Sequence, residues 1–123
     1  VTAFDVNHTI PTLGFLVEDH TAAIAIVADT GPSDSIWNFL SDVEKLRAVF
    51  LEISFPNSMQ WLADVAKHLT PNDFMAETSK LRREVDWFIT HVKPEYGSTI
   101  SKEVEQLQIR NCQYAMGSEM YHF

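Results

Sequence analysis

The chain has 123 residues, enough for one modest domain with a single hydrophobic core. Hydrophobic residues make up 46% and aromatic residues 11%, which is a globular composition and excludes a largely disordered chain. No apolar stretch approaches the roughly 20 residues that a membrane span needs, so we expect no membrane partner. The net charge of −8 disfavours a nucleic-acid partner, which usually requires a basic surface, and suits cationic metals.

The two features that bear on cellular location are the lone cysteine and the first residues. Cys112 cannot form an intrachain disulfide, so a cytoplasmic location is expected, with the periplasm as an alternative. The chain starts with VTAFDVNH, which has no Met and no signal-type apolar core and begins inside a strand pattern. Either processing or membership of a larger domain would explain this start.

Apolar periodicity and turn residues predict an α/β domain with a layered sheet and flanking helices. We expect residues 1–123 to form one domain, because no linker or internal repeat interrupts them. We also expect this domain to be partial. The expected elements, in chain order, are strands at 1–7, 13–18 and 23–28, a helix at 36–46, a strand at 48–53, helices at 56–69 and 73–83, a strand at 87–90, a helix at 98–110 and a strand pair around Gly117.

The segment AIAIVADTGP, residues 23–32, is the centre of the predicted sheet. Its continuous apolar run predicts a strand that is buried on both faces. Thr30, Gly31 and Pro32 then break the strand, so the carboxylate of Asp29 emerges at its carboxyl end. Ligand sites of open α/β sheets lie at this edge.

Four predicted strands end on a side chain able to bind metal or transfer a proton: His8, Asp29, Glu52 and His91. If these strands are neighbours, two imidazoles and a carboxylate meet at one edge and could bind zinc or another divalent metal. Each residue also has an ordinary interpretation. His8 could be a turn residue, Asp29 a turn cap and Glu52 a solvated strand end.

Several segments together resemble the second half of a metallo-β-lactamase-superfamily hydrolase. Within that superfamily they are most similar to the class II cyclic-nucleotide phosphodiesterases, and the expected fold is half of an αββα sandwich. The resemblance covers nearly the whole chain, including a closing strand at Tyr121–Phe123. It rests on the order and spacing of NHTIPTLGFLVED (7–19), IVADTGP (26–32), LEISFPN (51–57), KHLTP (67–71) and THVKPEYG (90–97).

The resemblance implies a centre of two divalent metals, with zinc expected and manganese or iron as alternatives. His8 would complete the first metal site, Asp29 would bridge both metals, and His91 would be a ligand of the second. Asp29 is therefore both a metal ligand and a catalytic residue in this scheme. A hydroxide generated from metal-bound water would attack the phosphorus of a cyclic nucleotide such as cAMP.

Three further residues receive roles around the reacting phosphate. The resemblance makes His68 catalytic, binding phosphate or protonating the leaving group. It makes Glu52 an acidic residue beside the site that orients a ligand. Lys93 could add a positive charge for the phosphate, or it could be a solvated loop lysine.

The sequence departs from the superfamily in one respect, because no HxHxDH motif occurs in these 123 residues. That motif supplies the other metal ligands, so we expect the C-terminal half of the fold, with little or no activity alone. A half sandwich also leaves one sheet face open, which predicts association, for example as a homodimer.

The sequence leaves other functions open. A tRNA 3′-processing endoribonuclease shares the histidine, the DT turn and the last histidine, but LEISF stands where that family has a His-Glu-Ala-Thr type motif. A lactonase or thioesterase relative is a second alternative. A half-domain with a purely structural or regulatory role is a third, favoured by the absence of HxHxDH.

Overall fold

The computed structural model describes residues 1–123 and contains one six-stranded sheet with four helices. The strands follow one another in sheet order and are β1 (Thr2–Asp5), β2 (Leu13–Glu18), β3 (Ala23–Val27), β4 (Leu46–Glu52), β5 (Asp86–Thr90) and β6 (Cys112–Tyr114). The helices are α1 (Ser35–Ser41), α2 (Gln60–Ala66), α3 (Pro71–Thr78) and α4 (Gly97–Leu107), with short 3-10 helices at Asn57–Met59 and Pro94–Tyr96.

The sheet is mixed. The β1–β2 and β2–β3 pairs are antiparallel, whereas the β3–β4, β4–β5 and β5–β6 pairs are parallel. Each parallel connection contains a helix and steps in the same direction across the sheet. Right-handed crossovers of this kind place every connecting helix on the same face. This confirms the expected α/β architecture and leaves the opposite face without helices.

The hydrophobic core lies between the sheet and the helices. Alternate residues of the central strands point to it, such as Ala25 and Val27 of β3, which are fully buried. The helices contribute Trp37, Phe74 and Ile100 to the same cluster. This packing fixes the height of each strand and therefore the position of the residues that follow it.

The prediction that β3 is buried on both faces is wrong. Ile26 is 41% exposed, and its register partner Phe15 on β2 is 42% exposed. Both side chains lie on the face without helices. The apolar run forms the predicted strand, but no second layer covers the face of β3 that carries Ile26.

Helix and strand boundaries differ from the expected ones at several places. Helix α1 ends at Ser41 and β4 begins at Leu46, which pairs with Ala23, so the predicted helix was five residues too long. Helix α3 spans Pro71–Thr78 instead of 73–83. Strand β1 is shorter than predicted at both ends, and α4 ends three residues early. The helix predicted at 56–69 is a 3-10 turn at Asn57–Met59 followed by α2, on which Val65 is 73% exposed.

The carboxyl-terminal tail does not form the expected strand pair. Only β6 is a strand, and Gly117 lies in a turn. Tyr121 and Phe123 are not in a closing strand. Their rings pack against Phe88, with centroids 4.7 and 5.8 Å away. This aromatic contact covers part of the otherwise open sheet face.

Candidate metal centre

Four strands end at the same edge of the sheet. β1 is antiparallel to β2, which is antiparallel to β3, so β1 runs in the same direction as β3, β4 and β5. His8 follows β1, Asp29 follows β3, Glu52 ends β4 and His91 follows β5. The strand order therefore collects at one edge the four side chains on which the sequence argument depended.

Asp29 and His91 both adopt a left-handed backbone conformation immediately beyond their strands. Their φ angles are 48° and 66°. Asp and His tolerate this region better than most residues, and such conformations concentrate at functional sites. Nδ1 of His91 lies 3.4 Å from Oδ1 of Asp29, and both side chains are more than two-fifths exposed. A ligand could reach both from solvent.

Glu52 is fully buried, so its interpretation as a solvated strand end is wrong. Its carboxylate accepts hydrogen bonds from the backbone N–H of Thr30 at 2.6 Å and of Leu69 at 3.3 Å. The Ser54 hydroxyl also donates to it, as does Nδ1 of His68 at 2.8 Å. These four donors compensate the loss of hydration of a buried carboxylate.

His68 lies just beyond α2, after Lys67 ends the helix in a left-handed conformation with φ of 54°. The hydrogen bond to Glu52 raises the pKa of His68, outweighing the opposite effect of burial. Since Nδ1 is bonded to the carboxylate, Nε2 remains for a substrate or metal. The His68 ring centroid lies 5.6 Å from that of His91.

His8 lies on the other side of His68, with ring centroids 5.0 Å apart. Its Nδ1 is 3.1 Å from the carbonyl oxygen of Lys67. A carbonyl can only accept, so Nδ1 carries the proton and Nε2 carries the lone pair. Ring nitrogens held in this way are typical of histidines that bind metals.

Ser54 is a site residue that the sequence argument missed. Its hydroxyl proton goes to Glu52, so its oxygen accepts from Nδ1 of His91 at 3.1 Å. This contact again leaves Nε2 of the histidine with the lone pair. Its position two residues after Glu52 is the sequence signal that could have found it, because residues two apart point to the same side of an extended chain.

The potential ligand atoms of Asp29, Glu52, His68 and His91 lie within 4.8 Å of one another. His8 is outside this set, although its ring contacts His68. Carboxylate and imidazole donors suit zinc, manganese and iron, and the Nδ1 contacts orient the imidazoles for metal binding, so the residues fit a divalent cation. Glu52 is already committed to four donors, which makes it a less available ligand than Asp29.

Lys93 lies near the centre but does not touch the cluster. Its ammonium sits 4.5 Å from the centroid of the Phe55 ring, a cation–π contact. The Phe55 ring is in turn 5.8 Å from that of His68. A role for Lys93 toward phosphate stays a prediction, as does its alternative as a solvated loop lysine.

Comparisons with known proteins show the fold. The chain superimposes on YhfI from Bacillus subtilis, a metallo-β-lactamase fold protein, with a TM-score of 0.73 and 16% identity over 93% of this chain and 45% of YhfI. The chain has the metallo-β-lactamase fold. Unliganded yeast PDE1 matches with a TM-score of 0.73 and 18% identity, covering 93% of this chain and 43% of PDE1. Human tRNase Z, short form (ELAC1), matches with a TM-score of 0.62 and 21% identity, covering 76% of this chain and 35% of ELAC1.

The chain therefore spans less than half the length of these metallo-β-lactamase fold neighbours. No protein-family model matches it, and no curated protein matches its sequence. None of its helices is both long enough and apolar enough to cross a lipid bilayer.

Proposed function

We propose that this chain supplies part of the active site of a metal-dependent hydrolase that cleaves 3′,5′-cyclic nucleotides such as cAMP. The observation that carries the proposal is the cluster of Asp29, Glu52, His68 and His91 at the carboxyl edge of the sheet. The order of the five sequence segments supports the phosphodiesterase assignment, and the similarity to yeast PDE1 agrees with it.

Asp29, His91 and His8 would hold the metals, with Asp29 as the bridge. Divalent metals bound there would activate water for attack and polarise the phosphate oxygens. These three residues provide fewer donors than two metals need, and no HxHxDH motif occurs in the sequence. We therefore expect weak activity, or none, from the chain alone.

His68 would act on the leaving group. The Glu52 carboxylate holds its Nδ1 and stabilises the protonated ring, so Nε2 can donate a proton to the departing 3′-oxygen. Lys93 would attract the phosphate from the neighbouring loop. Glu52 is buried, and its role would be to orient His68 and to favour the protonated form of its ring.

The experiment that tests this function is zinc-dependent hydrolysis of cAMP, with bis(p-nitrophenyl) phosphate as a more reactive diester. Weak hydrolysis should appear with added Zn²⁺ and should disappear in the His68→Ala and Asp29→Ala variants. His20→Ala is the matched control, since His20 is an exposed residue between β2 and β3.

Two results would contradict the proposal, and a third would favour the non-catalytic alternative without excluding an incomplete site. Hydrolysis that survives both substitutions would place the chemistry elsewhere. Cleavage of a precursor tRNA, but not of cAMP, would favour the ribonuclease alternative. Zinc binding without hydrolysis of either diester would favour the non-catalytic half-domain.

A further inference from the structure

We propose that Asn7 is a positioning residue that fixes His8 against the Asp29 loop and thereby sets the affinity of the centre for a divalent cation. The inference rests on the proposed metal site. The inference goes beyond that site because Asn7 contacts neither the cluster nor a reacting group. Asn7 acts only through the chain segments that carry them.

Asn7 makes three hydrogen bonds to the segment that follows Asp29. Its N–H donates to Oγ1 of Thr30 at 3.2 Å, and its carbonyl accepts from the N–H of Gly31 at 2.7 Å. Its side-chain Nδ2 donates to the carbonyl of Pro32 at 2.8 Å. The residue next to His8 is therefore bonded to the three residues next to Asp29.

The same segment is held from the opposite side by the centre itself. The N–H of Thr30 donates to the buried Glu52 carboxylate, which also holds His68. The Asp29 loop thus lies between Asn7 and Glu52. A displacement of this loop would change the distance between Asp29 and His8.

A third segment closes the arrangement. An added Cβ on Gly31 would lie 3.2 Å from Cα of Lys67 and 3.4 Å from Nδ2 of Asn7. The carbonyl of Lys67 in turn accepts from His8. Because the three segments pack this closely, His8 is fixed through the segments beside it and by its own bond to Lys67.

A specific link from Asn7 to His8 can be distinguished from a general loss of stability by its effect on metal affinity. If Asn7 acts through His8, its contribution to metal affinity should vanish when the His8 imidazole is absent. The two residues should then be coupled in a double-mutant cycle.

The test measures Zn²⁺ affinity by isothermal titration calorimetry in the unsubstituted protein, Asn7→Ala, His8→Ala and the double variant. Asn7→Ala loses the Nδ2 bond to Pro32 and keeps the two hydrogen bonds that its main chain makes. One net hydrogen bond corresponds to about two- to tenfold in an equilibrium constant, and we expect Asn7→Ala to weaken zinc binding about fivefold. In the His8→Ala background the same change should alter affinity by less than about twofold.

Asn57→Ala is the matched control. Its side-chain oxygen accepts from the N–H of Asn72 at 2.9 Å, so the variant also loses one amide contact between two segments, but away from His8 and Asp29. Its zinc affinity should stay unchanged. Far-UV circular dichroism and thermal unfolding of each variant report whether it folds.

If Asn7→Ala does not fold, the same link can be tested from its other end. Thr30→Val removes the oxygen that accepts from Asn7, whereas Thr30→Ser keeps it. The first should weaken zinc binding and the second should restore it.

The proposal is overturned if Asn7→Ala binds zinc like the unsubstituted protein, or if it loses affinity equally with and without His8. Those results leave the proposed hydrolase site intact. Absence of zinc binding by the unsubstituted protein would instead overturn the proposed site, and this inference with it.

Discussion

At the scale of single residues, the centre depends on one buried carboxylate. Glu52 joins the Asp29 loop, the His68 segment and Ser54 through hydrogen bonds to a group that has no contact with solvent. The side chains of Asp29 and His91, by contrast, are each more than two-fifths exposed. The precision of the site therefore comes from the residue least able to reach a substrate.

Glu52→Ala should be strongly destabilising. The substitution leaves the N–H groups of Thr30 and Leu69 without their acceptor and removes the partner of His68. A buried donor left without an acceptor costs about 1–3 kcal/mol, so for two donors we expect a loss of unfolding free energy of about 2–6 kcal/mol by urea denaturation. Glu84→Ala is the control, because Glu84 is exposed and its pair with Arg110 is worth at most about 1 kcal/mol. Equal losses in both variants would contradict this role of Glu52.

Cys112 gives a second prediction at this scale. Burial raises the pKa of its thiol from 9.0 to about 11. Only the thiolate reacts, so at pH 8 the folded protein should react with a disulfide reagent about 100-fold more slowly than the unfolded protein does in guanidinium. Because the thiol pKa is higher in the folded state, Cys112 makes its full contribution to the free energy of unfolding below pH 9. That contribution is lost as the pH rises towards 11. Equal thiol reactivity in the two states would contradict the burial.

At the scale of elements, strand ends were easier to predict than helix ends. The segment DTGP stops β3 by turn chemistry alone, so Asp29 could be placed at the sheet edge from sequence. Helix α3 begins at Pro71 because Thr70 and Asp73 form a capping box. The Thr-Pro-Asn-Asp sequence contains that signal, but the predicted start at residue 73 left Thr70 and Pro71 outside the helix. Ser54 was missed because its role depends on a histidine from another strand.

The capping box is testable on its own. Thr70→Ala removes the acceptor for the N–H of Asp73 and the donor to Gln60, both at a fully buried position. The expected loss of unfolding free energy is about 1–2 kcal/mol. Thr99→Ala, at an exposed position in α4, is the control and should change stability little. Thermal unfolding that does not distinguish the two variants would argue against the box.

At the scale of the whole molecule, the sheet has helices on one face only. The resemblance to half of a sandwich predicted this open face, whereas the apolar run of β3 alone predicted burial on both faces, because such a run does not say which chain segment provides the cover. The aromatic tail residues Tyr121 and Phe123 cover the part of the face around Phe88. Leu13, Phe15, Val17 and Ile26 remain partly exposed on β2 and β3.

This exposed apolar face should promote association. Contiguous apolar surfaces of this kind are uncommon on monomeric proteins. Phe15→Ser combined with Ile26→Thr should lower the apparent molecular mass in concentration-dependent sedimentation velocity runs. Trp61→Ser is the control, since Trp61 is 67% exposed but lies on helix α2. Association that depends on Trp61 instead would place the contact on the helical side.

Zinc binding to Asp29→Ala is the most direct test of the proposal that Asp29 anchors a divalent metal centre at the edge of the sheet. Titration calorimetry, with the bound zinc counted by elemental analysis, should show that Asp29→Ala binds fewer zinc ions than the unsubstituted protein, or binds them at least tenfold more weakly. Asp5→Ala should bind like the unsubstituted protein, because Asp5 is an exposed carboxylate at the end of β1, outside the cluster. Unchanged zinc content and affinity in Asp29→Ala would contradict the account.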